Sequence, residues 1–188
     1  MYDHEKSIKK LFSFLEEYKI HLTENDLLNF LKITNRWPYR SIDNKPTVEI
    51  ITEWSGKCKD EFYDITGKFN FNKWKEKYDR GFTSILSDVL DLTEELRNLQ
   101  NEIVKISGKN IQGNFYFTKG SIDHRISFDD HIHEYPVLVK IIYGNCKWKI
   151  ENDYWEVKSG DVLHIPAGYV HSVVECVDRK LSLTLNFE

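Results

Sequence analysis

At 188 residues, with 40% hydrophobic and 30% charged side chains, the chain is long enough to bury one substantial core and too apolar to stay disordered. A formal net charge of −4 gives no general case for nucleic acid or an anionic membrane as partner, and the longest apolar runs fall far short of a bilayer span. Cys58, Cys146 and Cys176 are odd in number and form no C-x-x-C, which argues against a disulfide framework or a cysteine zinc site. Reduced thiols and the charged opening MYDHEKSIKK fit a cytoplasmic protein without a signal peptide.

The first 110 residues read as mostly helical. In EKSIKKLFSFLEEYKI, the residues Ile8, Leu11, Phe12, Leu15 and Tyr18 recur at intervals of three and four, giving one apolar stripe. TENDLLNFLKIT opens with Thr23 as an N-cap and Asp26 three residues later, an approximate capping box. Pro38 breaks the pattern in NRWPYRS, and TVEIITEW reads as a short strand or buried turn. A further helix begins near Asn72 and stops at Gly81. The clearest helix is LTEELRNLQNEIVKISG, capped by Thr93, lined by Leu96, Leu99, Ile103 and Ile106, and ended by Gly108.

After Gly108 the period changes to two. GNFYFTKG, HEYPVLVKIIYG, CKWKI, YWEV, GDVLHIP, VHSVVEC and KLSLTLNFE are strand candidates separated by Gly, Pro, Asn and Asp turns. The expected organisation is an α+β unit, with residues 1–110 packing as helices on a small β-barrel or sandwich of residues 111–188. The five tryptophans, Trp37, Trp54, Trp74, Trp148 and Trp155, are assigned to core by default.

Two stretches do not fit a plain core. In SFDDHIHEYPVLVKIIYG, strand alternation aims His131 and His133 at one face, in line with Val137, Val139 and Ile141. In GDVLHIPAGYVHSVVEC, two turns at Gly160 and Pro166–Gly168 bring His171 to the start of a strand. At a barrel mouth the three imidazoles meet around one point. Neutral imidazole is a common ligand for Fe, Zn, Cu and Ni, and three ligands leave coordination positions open. His131, His133 and His171 are therefore the candidate metal ligands and catalytic centre. His164 reads as a pocket-wall or core hydrogen-bonding residue, and Glu134 alternates to the opposite face.

Both stretches resemble the cupin superfamily. Its first motif, H-x-H followed by Glu and Gly, is met by His131, His133 and Gly144, with Val137 in place of the Glu; its second runs from Gly160 to His171. A closer resemblance, over about residues 65–188, is to the JmjC-type, cupin-like branch, in RGFTSILSDVLDLTEELRNLQ, GNFYFTKGS, GDVLHIPAGYVHSV and LSLTLNFE. It implies a double-stranded β-helix, the jelly-roll barrel of cupins, with an Fe(II) centre and 2-oxoglutarate as cosubstrate. His131 and His171 fall on the family's two histidine ligands and His133 on its aspartate. Asn114, Tyr116 and Asn186 fall on cofactor-binding positions, Asn186 standing fifteen residues after His171.

Two departures bear on the reaction. Replacing the aspartate by His133 removes the only anion from the ligand set. Cys146 stands where relatives carry the lysine that holds the distal carboxylate of 2-oxoglutarate, and Lys147 points the other way; Lys119, Arg125 and Tyr116 are the candidate stand-ins. Three readings follow: a 2-oxoglutarate-dependent hydroxylase of a peptide, amino acid or small molecule; a three-histidine dioxygenase that binds substrate directly; and a non-catalytic metal- or ligand-binding cupin. The N-terminal helices serve either as a homodimer surface or as a roof on the barrel.

Overall fold

The computed structural model describes residues 4–33, 48–53, 56–58, 62–63, 69–108, 110–120 and 129–187. Pro38, Trp37, Trp54 and Arg125 lie outside the described residues. Among the described residues, four α-helices form where the caps and stripes predict them: α1 (His4–Glu17), α2 (Glu24–Ile33), α3 (Phe71–Asp79) and α4 (Glu94–Ser107). At α2 the capping box is complete, because Thr23 N–H donates to Asp26 Oδ2 at 2.9 Å and Asp26 N–H to Thr23 Oγ1 at 3.3 Å. Thr93 Oγ1 accepts the Leu96 N–H at the start of α4. Gly108 ends that helix in the left-handed region at φ 71°.

The described residues include ten strands: β1 (Val48–Glu53), β2 (Gly56–Cys58), β3 (Ser84–Leu86), β4 (Gln112–Thr118), β5 (Val137–Tyr143), β6 (Asn145–Ile150), β7 (Asp153–Lys158), β8 (Val162–Ile165), β9 (His171–Glu175) and β10 (Lys180–Asn186). They build two antiparallel sheets, one ordered β2-β1-β3-β4-β10-β5-β8 and the other β7-β6-β9. TVEIITEW resolves as a strand over Val48–Glu53. The division at residues 110 and 111 falls between α4 and β4, but β1 to β3 join the large sheet through the β3–β4 pairing, so the N-terminal side contributes strands as well as helices.

Period-two alternation sorts the large sheet's side chains between two cores. On β10, Leu181, Leu183 and Leu185 join Phe115 and Phe117 of β4 in the cluster shared with the helices, which includes Leu11, Leu15, Trp74, Leu96 and Leu99. The alternate residues face the second sheet, where Val137, Val139, Ile141, Cys146, Trp148, Leu163, Ile165, Val173 and Cys176 form a separate cluster. The helices thus cover the outer face of the large sheet, and the barrel interior lies on its other face. This is the α+β, cupin-like jelly-roll architecture expected from the strand pattern.

Two ties lock the layers. Lys140, only 4% exposed, donates from Nζ to Gly160 O at 2.6 Å and to Glu16 O at 3.5 Å, joining the β7–β8 turn to the end of α1. Glu24 accepts from Tyr78 Oη at 2.7 Å and pairs with Arg179 at 2.8 Å, holding α2 to α3 and to the start of β10. Gly144 makes the β5–β6 turn at φ 83°, and a Cβ there would sit 2.0 Å from Arg179 O; only glycine serves. No described helix is long and apolar enough to cross a membrane.

Trp74 is fully buried, stacks on Tyr78 at 4.9 Å and donates from Nε1 to Ser84 Oγ at 3.0 Å, joining α3 to β3. Trp74→Ala is expected to lower unfolding stability by about 3–5 kcal/mol in chemical denaturation. Replacing Trp155, which is 51% exposed, should change it by no more than about 0.5 kcal/mol.

Candidate metal centre

His131 and His133 precede β5; they are not part of it. A bend at Glu134–Tyr135 separates them from Val137, and His131 instead pairs across the mouth with the first residue of β9. His131 N–H donates to His171 O at 3.1 Å and His171 N–H donates to His131 O at 2.9 Å. This reciprocal pair sets the two rings on one face. The chain therefore moves from the small sheet to the large one between His133 and Val137, yet the inward direction survives the bend, because His131, His133, Val137 and Val139 all border one cavity.

The three rings converge. Centroids lie 5.1 Å apart for His131 and His133, 4.3 Å for His131 and His171, and 5.1 Å for His133 and His171. One nitrogen from each falls within 4.8 Å of the others. Metal–imidazole bonds of about 2.1 Å need nitrogens roughly 3 Å apart, which small ring rotations supply.

The local chain fixes two of the rings in the same way. His131 Nδ1 lies 2.9 Å from Asp129 O, and His171 Nδ1 lies 2.9 Å from Tyr169 O. A backbone carbonyl demands a donor, so Nδ1 carries the proton and Nε2 is left as the ligand atom. Burial also pushes the His171 pKa down from its ordinary value, which keeps the ring neutral, as ligation needs. His133 stacks on Tyr135 at 5.2 Å, and its carbonyl accepts from Gly168 N–H at 2.8 Å.

Asp130 ties the mouth together. It pairs with Lys149 of β6 and accepts from Ser172 Oγ at 2.7 Å, beside His171. The Lys149 and Ser172 hydrogen bonds hold its carboxyl below the usual range. Both oxygens are thus spent on structure, and Asp130 is no part of the ligand cluster.

Beneath the histidines lies a cavity of about 40 Å³, bordered by Tyr116, Trp148, Val173, Lys180, Ser182 and Thr184. Burial, then Glu49 and Tyr135, raise the Tyr116 pKa well above its ordinary value, so its hydroxyl remains a neutral donor. Lys180 opens β10 pointing inward, 4% exposed, with Nζ 5.5 Å from the Trp148 ring centroid. Trp148 in turn stacks on His171 at 6.3 Å. A second, open cleft of about 490 Å³ at the other end of the barrel is bordered by Cys146, Cys176 and charged side chains such as Lys147, Glu156 and Glu175. It lacks the histidines.

Of the residues expected to bind a cofactor, Tyr116 borders the cavity. Asn114 and Asn186 do not. Asn114 Oδ1 accepts the Asp88 N–H at 3.0 Å and is occupied in shaping the loop before α4. Asn186 ends β10 beyond Thr184, past the bordering residues. His164 lies exposed on β8, away from the cavity, because alternation gives the inward places to Leu163 and Ile165. Lys119 is held by Asp79 at 2.6 Å, and Lys147 leans over Tyr154.

Lys180 is the cation that sequence reasoning missed. Its signal was the K-x-S-x-T alternation of KLSLTLN, which looks like a solvent face but sits on a central strand between β4 and β5.

Comparison with known proteins agrees with this architecture. A model of the AraC-like ligand binding domain matches residues 116–175. No curated protein matches the chain in sequence. Among solved structures, YcfD, a ribosomal oxygenase from Escherichia coli, superposes with a TM-score of 0.59 at 14% identity, over 92% of this chain and 45% of that one. The same protein in complex with cobalt and succinic acid gives 0.60 at 13% identity, with equal coverage. This chain thus spans under half the length of that oxygenase. A cupin superfamily protein from Desulfitobacterium hafniense matches 41% of this chain and 66% of its own at 18% identity, with a TM-score of 0.36.

The fold is cupin-like, and it carries a three-histidine cluster at the mouth of its barrel. Calorimetric titration with Co(II) or Zn(II) should give one site per chain. His133→Ala and His171→Ala should each weaken it at least about a hundredfold, and Asp130→Asn about tenfold or more, as lost support for a ligand does elsewhere. His21→Ala, which removes an exposed ring bonded to Glu95 and outside the cluster, should leave it unchanged.

Proposed function

We propose that the protein is a JmjC-type, non-haem Fe(II)-dependent oxygenase of the cytoplasm, using a 2-oxo acid such as 2-oxoglutarate to hydroxylate a peptide, amino acid or small molecule. The observation that carries this reading is the presence of three inward histidines and one buried lysine around a single cavity. Three neutral imidazoles leave the charge of a bound dication uncompensated, and the Lys180 ammonium adds another positive charge nearby. In a low-dielectric interior both call for an anion. A doubly charged 2-oxo acid answers both, one end at the metal and the other at Lys180. Lys180 takes the role for which Cys146 is unsuited.

Each part has a task. His131, His133 and His171 hold the ion, which when bound supplies oxygen activation at its remaining positions. Lys180, with Ser182 beside it on the same face, holds the distal carboxylate. Tyr116 donates from a hydroxyl that stays protonated. Val137, Val139, Ile165 and Val173 keep bulk water from the centre.

A second reading, a three-histidine dioxygenase that binds its substrate directly at the mouth, draws support from the small space below the histidines, about 40 Å³. Anaerobic loading with Fe(II), followed by 2-oxoglutarate at millimolar concentration, separates the two. A metal-to-ligand charge-transfer band in the visible supports the 2-oxo acid reading, and Lys180→Met should weaken the response at least about tenfold while sparing metal uptake. Iron binding with no band would favour direct binding. No iron uptake would leave a ligand-binding module, the reading nearest to the AraC-like match.

A further inference from the structure

The open cleft at the end of the barrel away from the histidines is bordered by two free thiols, Cys146 and Cys176, and neither has a task at the metal centre. Their meeting depends on an irregularity in the strand pairing. Trp148 faces Val173 across the β6–β9 ladder, but Lys147 faces Glu175, so β9 carries one extra residue, Val174. That bulge shifts the alternation of the strand by one. Without it Cys176 would fall on the opposite face from Val173; with it Cys176 joins the barrel cluster that also holds Cys146. The next step of the same register sets Cys176 opposite Cys146. Cys176 Sγ accordingly lies 3.8 Å from Asn145 O, the carbonyl of the peptide bond to Cys146. Directly opposed residues of an antiparallel pair have Cα atoms about 4.5–5.5 Å apart, inside the range of about 4.4–6.8 Å that a disulfide spans.

The two thiols are unequal. Cys176 is 1% exposed and Cys146 7%, and burial, only partly opposed by Lys180, pushes the Cys176 thiol up to about 11. Cys176 is therefore the poorer first target of an oxidant. We infer that Cys146 and Cys176 form a redox modification site: a peroxide oxidises Cys146, and Cys176 then closes an intramolecular disulfide that a dithiol reductant reopens. In the first step the O–O bond of hydrogen peroxide breaks, an S–O bond forms on Cys146, and one water leaves with the thiol proton. In the second the Cys176 sulfur attacks the sulfenic sulfur, the S–S bond forms, the S–O bond breaks, and the hydroxyl leaves with the Cys176 proton as a second water. Two thiols give up two electrons and one peroxide accepts them. The inference is independent of the proposed reaction, since the histidines border a different cavity.

The test uses the full chain with Cys58→Ser, which leaves these two thiols alone, treated with hydrogen peroxide in the presence of a chelator and followed by intact mass and thiol titration. Both thiols should be lost together, with the mass of two hydrogens, and a dithiol reductant should restore both. Peptide mapping of the oxidised monomer should join the segments that hold Cys146 and Cys176. With Cys176→Ser added, Cys146 should stop at the sulfenic acid and be trapped by dimedone. With Cys146→Ser added instead, the remaining thiol should be consumed at least about tenfold more slowly. Thiols that survive peroxide, a gain of oxygen without a link, or a link between chains rather than within one would overturn the site. Those results are read on the chain that keeps both cysteines, so they stand whether or not the serine variants fold. Dimedone capture at Cys176 in the chain with Cys146→Ser, as fast as at Cys146 in the other, would overturn the order of attack.

Discussion

Two backbone hydrogen bonds between His131 and His171 carry the site. They join a segment approaching β5 to the first residue of β9, and so bring two distant parts of the chain to one face at the barrel mouth. The rings are then oriented from behind by carbonyls two residues earlier, Asp129 O and Tyr169 O. His133 follows at the spacing that returns a side chain to the same face. Asp130 reinforces the junction from outside through Ser172 and Lys149. Very little of this depends on long-range side-chain packing. The third dimension of the site comes from strand pairing, which is cooperative and resists small displacements.

Charge organises the interior. A mouth of imidazoles and a floor holding a lysine make a chamber with no carboxylate among its bordering residues. Of the nearby acids, Glu134 is exposed, Asp130 is already paired, and Glu49 is buried near Tyr116 but does not border the chamber.

Much of the architecture is legible in the sequence because it is local. Thr23, Thr93 and Gly108 mark helix ends through hydrogen bonds made within a few residues, and the switch from a period of three to four to a period of two marks the start of the barrel strands. H-x-H and the later turn-bounded histidine are legible for the same reason. What escapes is whatever depends on which face of a sheet meets which neighbour. The polar residues of KLSLTLN resemble a wet face, yet on a strand with partners on both sides they line a chamber, and this hid Lys180. Trp148 and Trp155 are partners in the β6–β7 register, but Trp155 stands on an edge strand and stays half exposed while Trp148 is buried. Asn114 and Asn186 sit on promising strands, but loop support and position at the strand end keep them from the cavity.

β10 has no neutral positions. Its leucines hold the helical layer, and the residues between them furnish the chamber, so one seven-residue segment encodes both the stability of the fold and the chemistry inside it. A single-residue deletion there would exchange the two sets, sending leucines into the chamber and a lysine beneath the helices. Such a frame forbids any change of length. Variation in this protein's ligand preference must therefore arise by exchanging side chains in place, on β10 or on the strands it looks across to.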